Sequence, residues 1–208
     1  MFAVIFEVQP KLDRWDQYLG LAKQLRPELE RIDGFVENER YKSRRTEGRL
    51  LSLSIWANEK AVIRWRTHAM HHAVQEKGRF EVFEDYHLRV GEITADTLRP
   101  SGSMLEQHRF DTTEVGAAKA VSIFEGSTQT LPEAPRLGVH DSELYESITS
   151  PGKLLLLVSW RDAAAADTWQ PSMSIRHRRV RVIRDYGLAD RREAPQFYPD
   201  VARDGSGG

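Results

Sequence analysis

In the first part of the chain, segments with the hydrophobic pattern of a strand alternate with segments that have the pattern of a helix. These patterns predict the strands and helices of the fold. Residues 2 to 8 are rich in Phe, Val and Ile, and they predict a strand that ends at Pro10. From residue 15 to residue 29, apolar side chains recur at three- and four-residue steps, which is typical of one face of a helix. Gly34 lies just beyond this pattern, where a glycine commonly ends a helix.

The following segments predict a hairpin, a second helix and a closing strand. Strands are predicted over residues 35 to 43 and 49 to 56, and Gly48 between them can supply the positive φ of a hairpin loop. Asn58 is the candidate N-cap of a helix that runs to about residue 77, and residues 87 to 93 predict the last strand. The order β-α-β-β-α-β is that of the ferredoxin-like fold, in which two helices cover one face of an antiparallel sheet.

The same pattern returns later in the chain. Ten residues between positions 39 and 65 recur, without a gap, 104 positions further on. A period near 100 residues has the size of a domain, so the recurrence predicts an internal duplication and a covalent pseudo-dimer. The recurring pairs are Glu39/Glu143, Tyr41/Tyr145, Ser43/Ser147, Gly48/Gly152, Leu50/Leu154, Leu51/Leu155, Leu53/Leu157, Trp56/Trp160, Ala61/Ala165 and Trp65/Trp169.

The second copy is expected to be degenerate. Pro132, Pro135 and Gly138 replace much of the first helix, which should be shortened or lost, and Pro171 should interrupt the second helix. The predicted organisation is repeat one over 1–94, a linker over 95–118, repeat two over 119–192 and a C-terminal tail over 193–208.

Composition excludes several classes of function. The chain has 208 residues and a formal net charge of −1, so it lacks the basic excess that binds nucleic acid or an anionic membrane. It contains no cysteine, which excludes disulfides, thiolate nucleophiles and cysteine-ligated metal centres. No apolar run approaches the length of a membrane span, and we expect a cytoplasmic protein.

The stretch from Leu53 to Arg66, with its two tryptophans, the histidines that follow it and the segment around Tyr86 resemble the antibiotic biosynthesis monooxygenase domain family. That family belongs to the dimeric α/β-barrel superfamily. The resemblance therefore implies an α+β fold in which two ferredoxin-like (βαββαβ) repeats pack as an intrachain dimeric α/β barrel, through the sheet faces that the helices leave uncovered. It also implies either a monomeric pseudo-dimer or a homodimer.

Members of this family include cofactor-independent oxygenases of aromatic polyketides and haem-degrading monooxygenases. The haem-degrading pattern has a tryptophan where Trp65 stands, an iron-ligating histidine ten residues later and an asparagine on the first strand. Here those last two positions hold Gln75 and, most nearly, Glu7. The resemblance thus implies no cofactor, with haem as the alternative if His68, His71 or His72 took the ligand role.

Three histidines on the predicted second helix are the first candidates for chemistry. At helical spacing His68 and His72 share a face with Trp65, whereas His71 points partly elsewhere. The pair could act as a general base, as a polar anchor or as a ligand of haem iron. The alternative is that these residues form the polar edge of an amphipathic helix, and no dedicated metal site is expected because a third ligand is not evident.

Glu7 is the third catalytic candidate. It alternates with Ala3 and Ile5 on the first strand and recurs as Glu125 in a matching Ile-Phe-Glu triplet. A carboxylate on the helix-covered face would need a partner such as Arg40 or Arg89. The alternatives are an edge position in water and a structural ion pair that both copies retain.

Aromatic residues complete the predicted site. Trp65, Trp56, Tyr41 and Tyr86, together with His71, could line a flat slot for a planar ligand. Core packing explains the duplicated aromatics equally well. The leading hypothesis is an oxygen-dependent oxidation of a small planar aromatic molecule in repeat one, and the alternatives are a haem-binding or haem-degrading protein and a non-catalytic ligand-binding module.

Overall fold

The computed structural model describes residues 1–98, 105–169 and 175–195. The expectations for residues 100 to 103, for Pro171 and for the tail beyond residue 195 lie outside this range. The strands are β1 (Phe2–Pro10), β2 (Phe35–Ser43), β3 (Leu50–Trp56), β4 (Phe83–Asp96), β5 (Ala120–Gly126), β6 (Val139–Ser147), β7 (Leu154–Trp160) and β8 (Arg176–Gly187). The α-helices of the described residues are α1 (Trp15–Glu30), α2 (Glu59–Arg66), α3 (Ala69–Lys77) and α4 (Ala163–Thr168).

The eight strands form one closed antiparallel barrel in the order β1-β3-β2-β6-β7-β5-β8-β4. Each repeat supplies four neighbouring strands. The two sets join where β2 pairs with β6, with Tyr41 opposite Ser147, and where β4 pairs with β8, with His87 opposite Gly187. The fold is therefore the expected pseudo-dimer of ferredoxin-like repeats, and its two sheets are hydrogen-bonded edge to edge as well as packed through their inner faces.

Side chains from both repeats share the core inside the barrel. On β1 the alternation of the strand sends Ala3 and Ile5 inward, and both are fully buried there beside Val121 and Ile123 of β5. Val4 and Phe6 point to the opposite face, beneath the helices. The inner faces thus make one hydrophobic core, which neither repeat could complete alone.

The helical layer differs between the repeats. In repeat one, α1, α2 and α3 cover the outer face of the sheet. The described part of repeat two has the single short helix α4, and there is no helix between residues 127 and 138. The prediction that the first helix of the second copy is lost is confirmed. Among the described residues, no helix is long and apolar enough to cross a membrane.

Recurring residues repeat the same local geometry. Gly34 has a φ of +87°, and a Cβ at this position would lie 2.8 Å from the Cβ of Ala61. Gly138 has a φ of +75° and would meet Ala165 in the same way at 2.5 Å. Only glycine combines a positive φ with this close approach of a helix to a loop, so each Gly/Ala pair fixes how a helix sits on its sheet.

Candidate active site

A cavity of about 200 Å³ lies between the three helices of repeat one and the outer face of its sheet. Its walls are largely apolar and include Val4, Phe6, Ala22, Leu25, Leu29 and Val62. Its charged lining consists of Glu59 and five arginines, Arg40, Arg66, Arg79, Arg184 and Arg191. Arginines therefore outnumber carboxylates among the residues that line the cavity, and Glu59 accepts a 2.7 Å hydrogen bond from Arg109.

A break between α2 and α3 decides which histidine faces this cavity. A single helix was predicted, but His68 has an extended backbone (φ −63°, ψ 128°) and caps a separate α3. The carbonyl of Trp65 accepts hydrogen bonds from the His68 backbone N–H at 3.1 Å and from Nδ1 of His71 at 2.9 Å. These two donors replace the backbone N–H that would bond to this carbonyl in a continuous helix, and α3 begins as a separate helix.

His71 is the histidine that lines the cavity. Its imidazole stacks on the indole of Trp65, with ring centroids 4.2 Å apart. Burial lowers the pKa of His71 to about 4, against the opposing effect of its bond to the Trp65 carbonyl. The ring is therefore neutral near pH 7, and because Nδ1 carries the proton that it donates, Nε2 is an acceptor.

The two histidines predicted as catalytic do not line the cavity. His68 lies at the start of α3, where its Nε2 is 3.8 Å from a carboxylate oxygen of Glu28. The side chain of His72 is exposed on the outer side of the helix. His68 does lie beside Trp65, with ring centroids 5.9 Å apart. The prediction nevertheless assumed one unbroken helix, and the break at His68 leaves both histidines outside the cavity.

Of the four tryptophan and tyrosine residues predicted to line a slot, the structure places two at the cavity and two elsewhere. Trp65 and Tyr86 both border the cavity. Trp56 is fully buried in the core, where its Nε1 donates to Ser54 Oγ at 2.9 Å. Tyr41 points inward from β2 and belongs to the core of the barrel. Strand alternation places it on the face opposite to the cavity.

Glu7 also lies inside the barrel, away from the cavity. Its carboxylate accepts hydrogen bonds from Arg89 at 2.5 Å and from the hydroxyl of Tyr145 at 2.6 Å. Burial alone would raise the pKa of Glu7, but Arg89 and Tyr145 hold it below the ordinary value. The structure does not bring Glu7 to the histidines or Trp65, because β1 sends it to the same side as Ala3 and Ile5. Its retention in both copies reflects a structural ion pair.

A second cavity of about 420 Å³ opens at one end of the barrel, above Glu7 and Arg89. Its lining is rich in charged side chains that already pair with each other, as Glu7 does with Arg89 and as His87 Nε2 does with Asp185 Oδ1 at 2.6 Å. The cavity under the helices is the better candidate for an active site, because ligand sites combine apolar walls with a few convergent polar groups.

The corresponding position in repeat two is filled by side chains. Trp169 packs edge-on against Phe124, with centroids 4.9 Å apart, and His177 stacks on the same Phe124 ring, with centroids 4.1 Å apart. Leu131, from the segment that replaces the first helix, packs against the same cluster. The described part of repeat two therefore offers no equivalent of the cavity in repeat one.

Repeat two instead contributes to the site of repeat one. Arg184 and Tyr186 of β8, and Arg191 after it, line the cavity. Nη1 of Arg191 donates to the hydroxyl of Tyr86 at 2.5 Å. Sequence reasoning missed these residues, because neither the spacing nor the resemblance relates the end of repeat two to a pocket in repeat one.

Haem does not fit this geometry. The cavity is smaller than the roughly 300–1,000 Å³ of sites for drug-sized ligands, and a haem is larger than such ligands. Among the described residues, no three His, Cys, Asp or Glu side chains converge on a common point as metal ligands would.

Comparisons with known proteins agree with the fold. The family model described as antibiotic biosynthesis monooxygenase matches residues 1–77. A protein of Pyricularia oryzae named jasmonate monooxygenase ABM is 47% identical, and the match covers 97% of this chain and 100% of that protein. An uncharacterized protein of Bacillus subtilis, YqjZ, is 36% identical over 55 residues, which are 26% of this chain and 48% of that protein.

Solved structures of very different sequence share the barrel. An aldoxime dehydratase in complex with butyraldoxime has a TM-score of 0.57 at 10% identity, over 88% of this chain and 79% of that one. Another aldoxime dehydratase has a TM-score of 0.54 at 11% identity, over 88% of this chain and 81% of that one. At such identities the likeness shows the fold alone.

Proposed function

Because the chain belongs to the antibiotic biosynthesis monooxygenase family, we propose that it uses molecular oxygen to oxidise a small, apolar carboxylic acid in the cavity of repeat one. The observation that carries this proposal is the lining of the cavity, whose walls are largely apolar and whose charged residues are mostly arginines. An apolar molecule with one negative charge matches such a lining, because it buries hydrocarbon and its carboxylate can accept a charge-assisted hydrogen bond from an arginine.

Jasmonate is the substrate to test first. It is an apolar ring compound that carries one carboxylate, and the relative that is 47% identical over nearly the whole chain is named for it. A planar aromatic acid is the second candidate, because the stacked rings of Trp65 and His71 offer a flat surface beside the cavity. Both candidates are small, as a cavity of about 200 Å³ requires.

The residues around the cavity have distinct roles in this proposal. The apolar walls keep water away from the reacting carbon atom, which protects a reactive intermediate from side reactions. His71, neutral and with Nε2 as an acceptor, orients the substrate or accepts a proton from it. Trp65 fixes the position of His71 through the ring stack and through its own carbonyl group.

We propose that no cofactor is bound permanently. A monooxygenase places one oxygen atom in its product and reduces the other to water, so two electrons must come from the substrate or from an added donor. The assay is therefore run with and without a reduced flavin or nicotinamide. Turnover by metal-free protein under either condition would support the proposal.

The decisive experiment is to incubate the purified protein with jasmonate under isotopically labelled oxygen and to measure the mass of the product. We expect one labelled oxygen atom per product molecule, and much slower oxidation of the methyl ester, which lacks the charge. A planar hydroxynaphthoic acid is assayed in parallel. If the protein binds these acids but consumes no oxygen under any condition, it is a ligand-binding module and the proposal is wrong.

A further inference from the structure

The sheet beneath the cavity has an apolar half and a polar half. Four apolar side chains line the cavity from β1 and β4, namely Val4, Phe6, Leu88 and Val90. Four polar side chains line it from the neighbouring strands β2 and β3, namely Asn38, Arg40, Ser52 and Ser54. A sheet face that helices cover is normally apolar, so the polar half requires an explanation.

Repeat two shows what the same positions hold where side chains fill the space. The counterparts of Ser52 and Ser54, 104 residues further on, are Leu156 and Val158. Both are buried in the hydrophobic cluster against which Trp169 packs. The fold therefore accepts apolar side chains at both positions. The serines occur in the repeat that has the open cavity, which points to a role in binding a ligand.

The hydrogen bonds of Asn38 determine how the hydroxyl of Ser52 is used. Nδ2 of Asn38 donates to the carbonyl of Leu53 and to Oγ of Ser52, both at 3.0 Å. A backbone carbonyl only accepts, so the amide nitrogen and not the amide oxygen faces it. Ser52 is therefore an acceptor towards Asn38 and keeps its own O–H. Among the residues that the structure describes, none accepts this O–H.

The hydroxyl of Ser52 lies on the cavity side of the sheet. Leu51 and Leu53, on either side of it, point into the core of the barrel, so strand alternation sends Ser52 to the outer face. Ser52 lies opposite Phe6 of β1, where the polar and apolar halves meet. A neutral donor in apolar surroundings is costly without an acceptor. A carboxylate pairs better with an arginine, so the acceptor that matches Ser52 is a neutral oxygen atom.

We infer that Ser52 donates a hydrogen bond to a ketone oxygen of the substrate, and that Asn38 is the positioning residue that holds the Ser52 hydroxyl for this contact. The inference rests on the proposed function, since it specifies a second polar group on the acid of that proposal. Jasmonate has this chemistry, because its five-membered ring carries a ketone in addition to the acid side chain. With the ketone on Ser52, the hydrocarbon of the ring lies against Val4 and Phe6.

The first test compares the binding of jasmonate with that of an analogue in which a methylene group replaces the ring ketone. Calorimetry on full-length variants gives the ratio of the two dissociation constants, analogue over jasmonate. This ratio should fall roughly 3- to 10-fold in Ser52→Ala, as the loss of one neutral hydrogen bond predicts. A merely structural defect would weaken both ligands alike and leave the ratio unchanged.

Ser52→Thr is the matched control, because it keeps the hydroxyl and suits a strand. Its ratio should stay within about twofold of the wild-type value, since no hydrogen bond to the ketone is lost. Asn38→Ala should lower the ratio in the same direction as Ser52→Ala, although the serine is still present. An unchanged ratio in Asn38→Ala would remove the positioning role from Asn38.

The second test observes the ketone directly. Jasmonate labelled with carbon-13 at the ring carbonyl is bound to each variant, and the infrared stretch of that carbonyl is measured at saturating ligand. A hydrogen bond lowers this frequency, so the band should lie lower in the wild type and in Ser52→Thr than in Ser52→Ala. In Asn38→Ala the band should broaden, because the hydroxyl is no longer fixed.

The methyl ester of jasmonate separates this inference from the function on which it rests, because it keeps the ketone and lacks the charge. If acid and ester bind equally and both show the band shift that Ser52→Ala removes, the acid of the proposed function is wrong and the ketone contact stands. If the wild type prefers the acid but Ser52→Ala leaves the ratio and the band unchanged, only the ketone contact is overturned. Wild-type protein that binds neither compound would refute both.

Discussion

The hydroxyl of Tyr145 in repeat two donates a 2.6 Å hydrogen bond to the carboxylate of Glu7 in repeat one. The reciprocal bond, from Tyr41 in repeat one to Glu125 in repeat two, has a length of 3.1 Å. Ser147 likewise donates to Glu39 at 2.5 Å, and Ser43 donates to Glu143. Polar residues that recur in the sequence therefore hold the two repeats together.

We predict that Tyr145→Phe lowers the free energy of unfolding by about 1.5–3 kcal/mol, because the variant leaves a buried carboxylate without one of its donors. Urea denaturation measures the change. Tyr41→Phe should have an effect in the same direction. Tyr186→Phe is the control, since the Tyr186 hydroxyl has no hydrogen bond within the described part of the chain, and an equal loss in that variant would contradict the prediction.

The second prediction concerns the pH dependence of stability. The pKa of His71 is lowered by burial to about 4, whereas an unperturbed histidine titrates near 6.5. Between these values the unfolded state binds the extra proton, so the contribution of His71 is full above pH 6.5 and is lost as the pH falls towards 4. The loss should reach roughly 2–3 kcal/mol.

The measurement is the difference between wild type and His71→Phe in urea denaturation at several pH values. Carboxylates lose stabilising contacts in the same range, but they are common to both proteins and cancel in the difference. His177, whose pKa burial also lowers to about 4, provides a matched variant in repeat two. A difference that is flat from pH 7 to pH 4 would show that His71 is not buried as a neutral ring.

The third prediction distinguishes the roles of Trp65 and Trp169, which occupy equivalent positions in the two repeats. Trp65 lines the cavity, whereas Trp169 packs against Phe124 and Trp160. Substitution of either by alanine should cost about 3 kcal/mol of stability, as truncation of a large aromatic residue does. Only Trp65→Ala should weaken the binding of jasmonate, by at least about tenfold, in a calorimetric titration. Equal affinity in both variants would place the ligand elsewhere.

The fourth prediction is that ligand binding is asymmetric, with one site per chain. Phe124, Trp169, His177 and Leu131 occupy the position in repeat two that is open in repeat one. A calorimetric titration should therefore give a stoichiometry of one. His71→Phe should weaken binding, while His177→Phe should leave it unchanged. Two equivalent sites per chain would contradict the assignment.

The local sequence pattern was sufficient to predict the fold, but it was not sufficient to predict which residues line the candidate site. The period of two on β1 follows from the alternation of side chains along a strand, so the sequence shows it directly. Both repeats also use the same local contacts, and their residues therefore recur: Gly34, Asn58 and Ala61 correspond to Gly138, Asp162 and Ala165. The lining of the cavity arises differently.

Two features of the site could not be predicted for physical reasons. The break between α2 and α3 comes with a side-chain hydrogen bond, from His71 to the carbonyl of Trp65, that a sequence pattern does not show. The position of Arg191 depends on the closure of the whole barrel, which brings the end of repeat two over Tyr86 in repeat one. Neither effect produces a periodic pattern in the sequence. The assumption of one continuous helix therefore selected His68 and His72, instead of His71, as the catalytic candidates.

The joining of both sheets within one chain has a consequence for how the two halves can change. In a barrel built from two identical chains, every substitution appears on both sides, so a change that fills one pocket fills the other as well. Here a substitution affects one side only. The aromatic cluster around Trp169 could therefore replace a pocket with packed side chains while Trp65 and its cavity stayed open. Covalent linkage thus allows one half of the barrel to be packed with side chains while the other half keeps an open cavity.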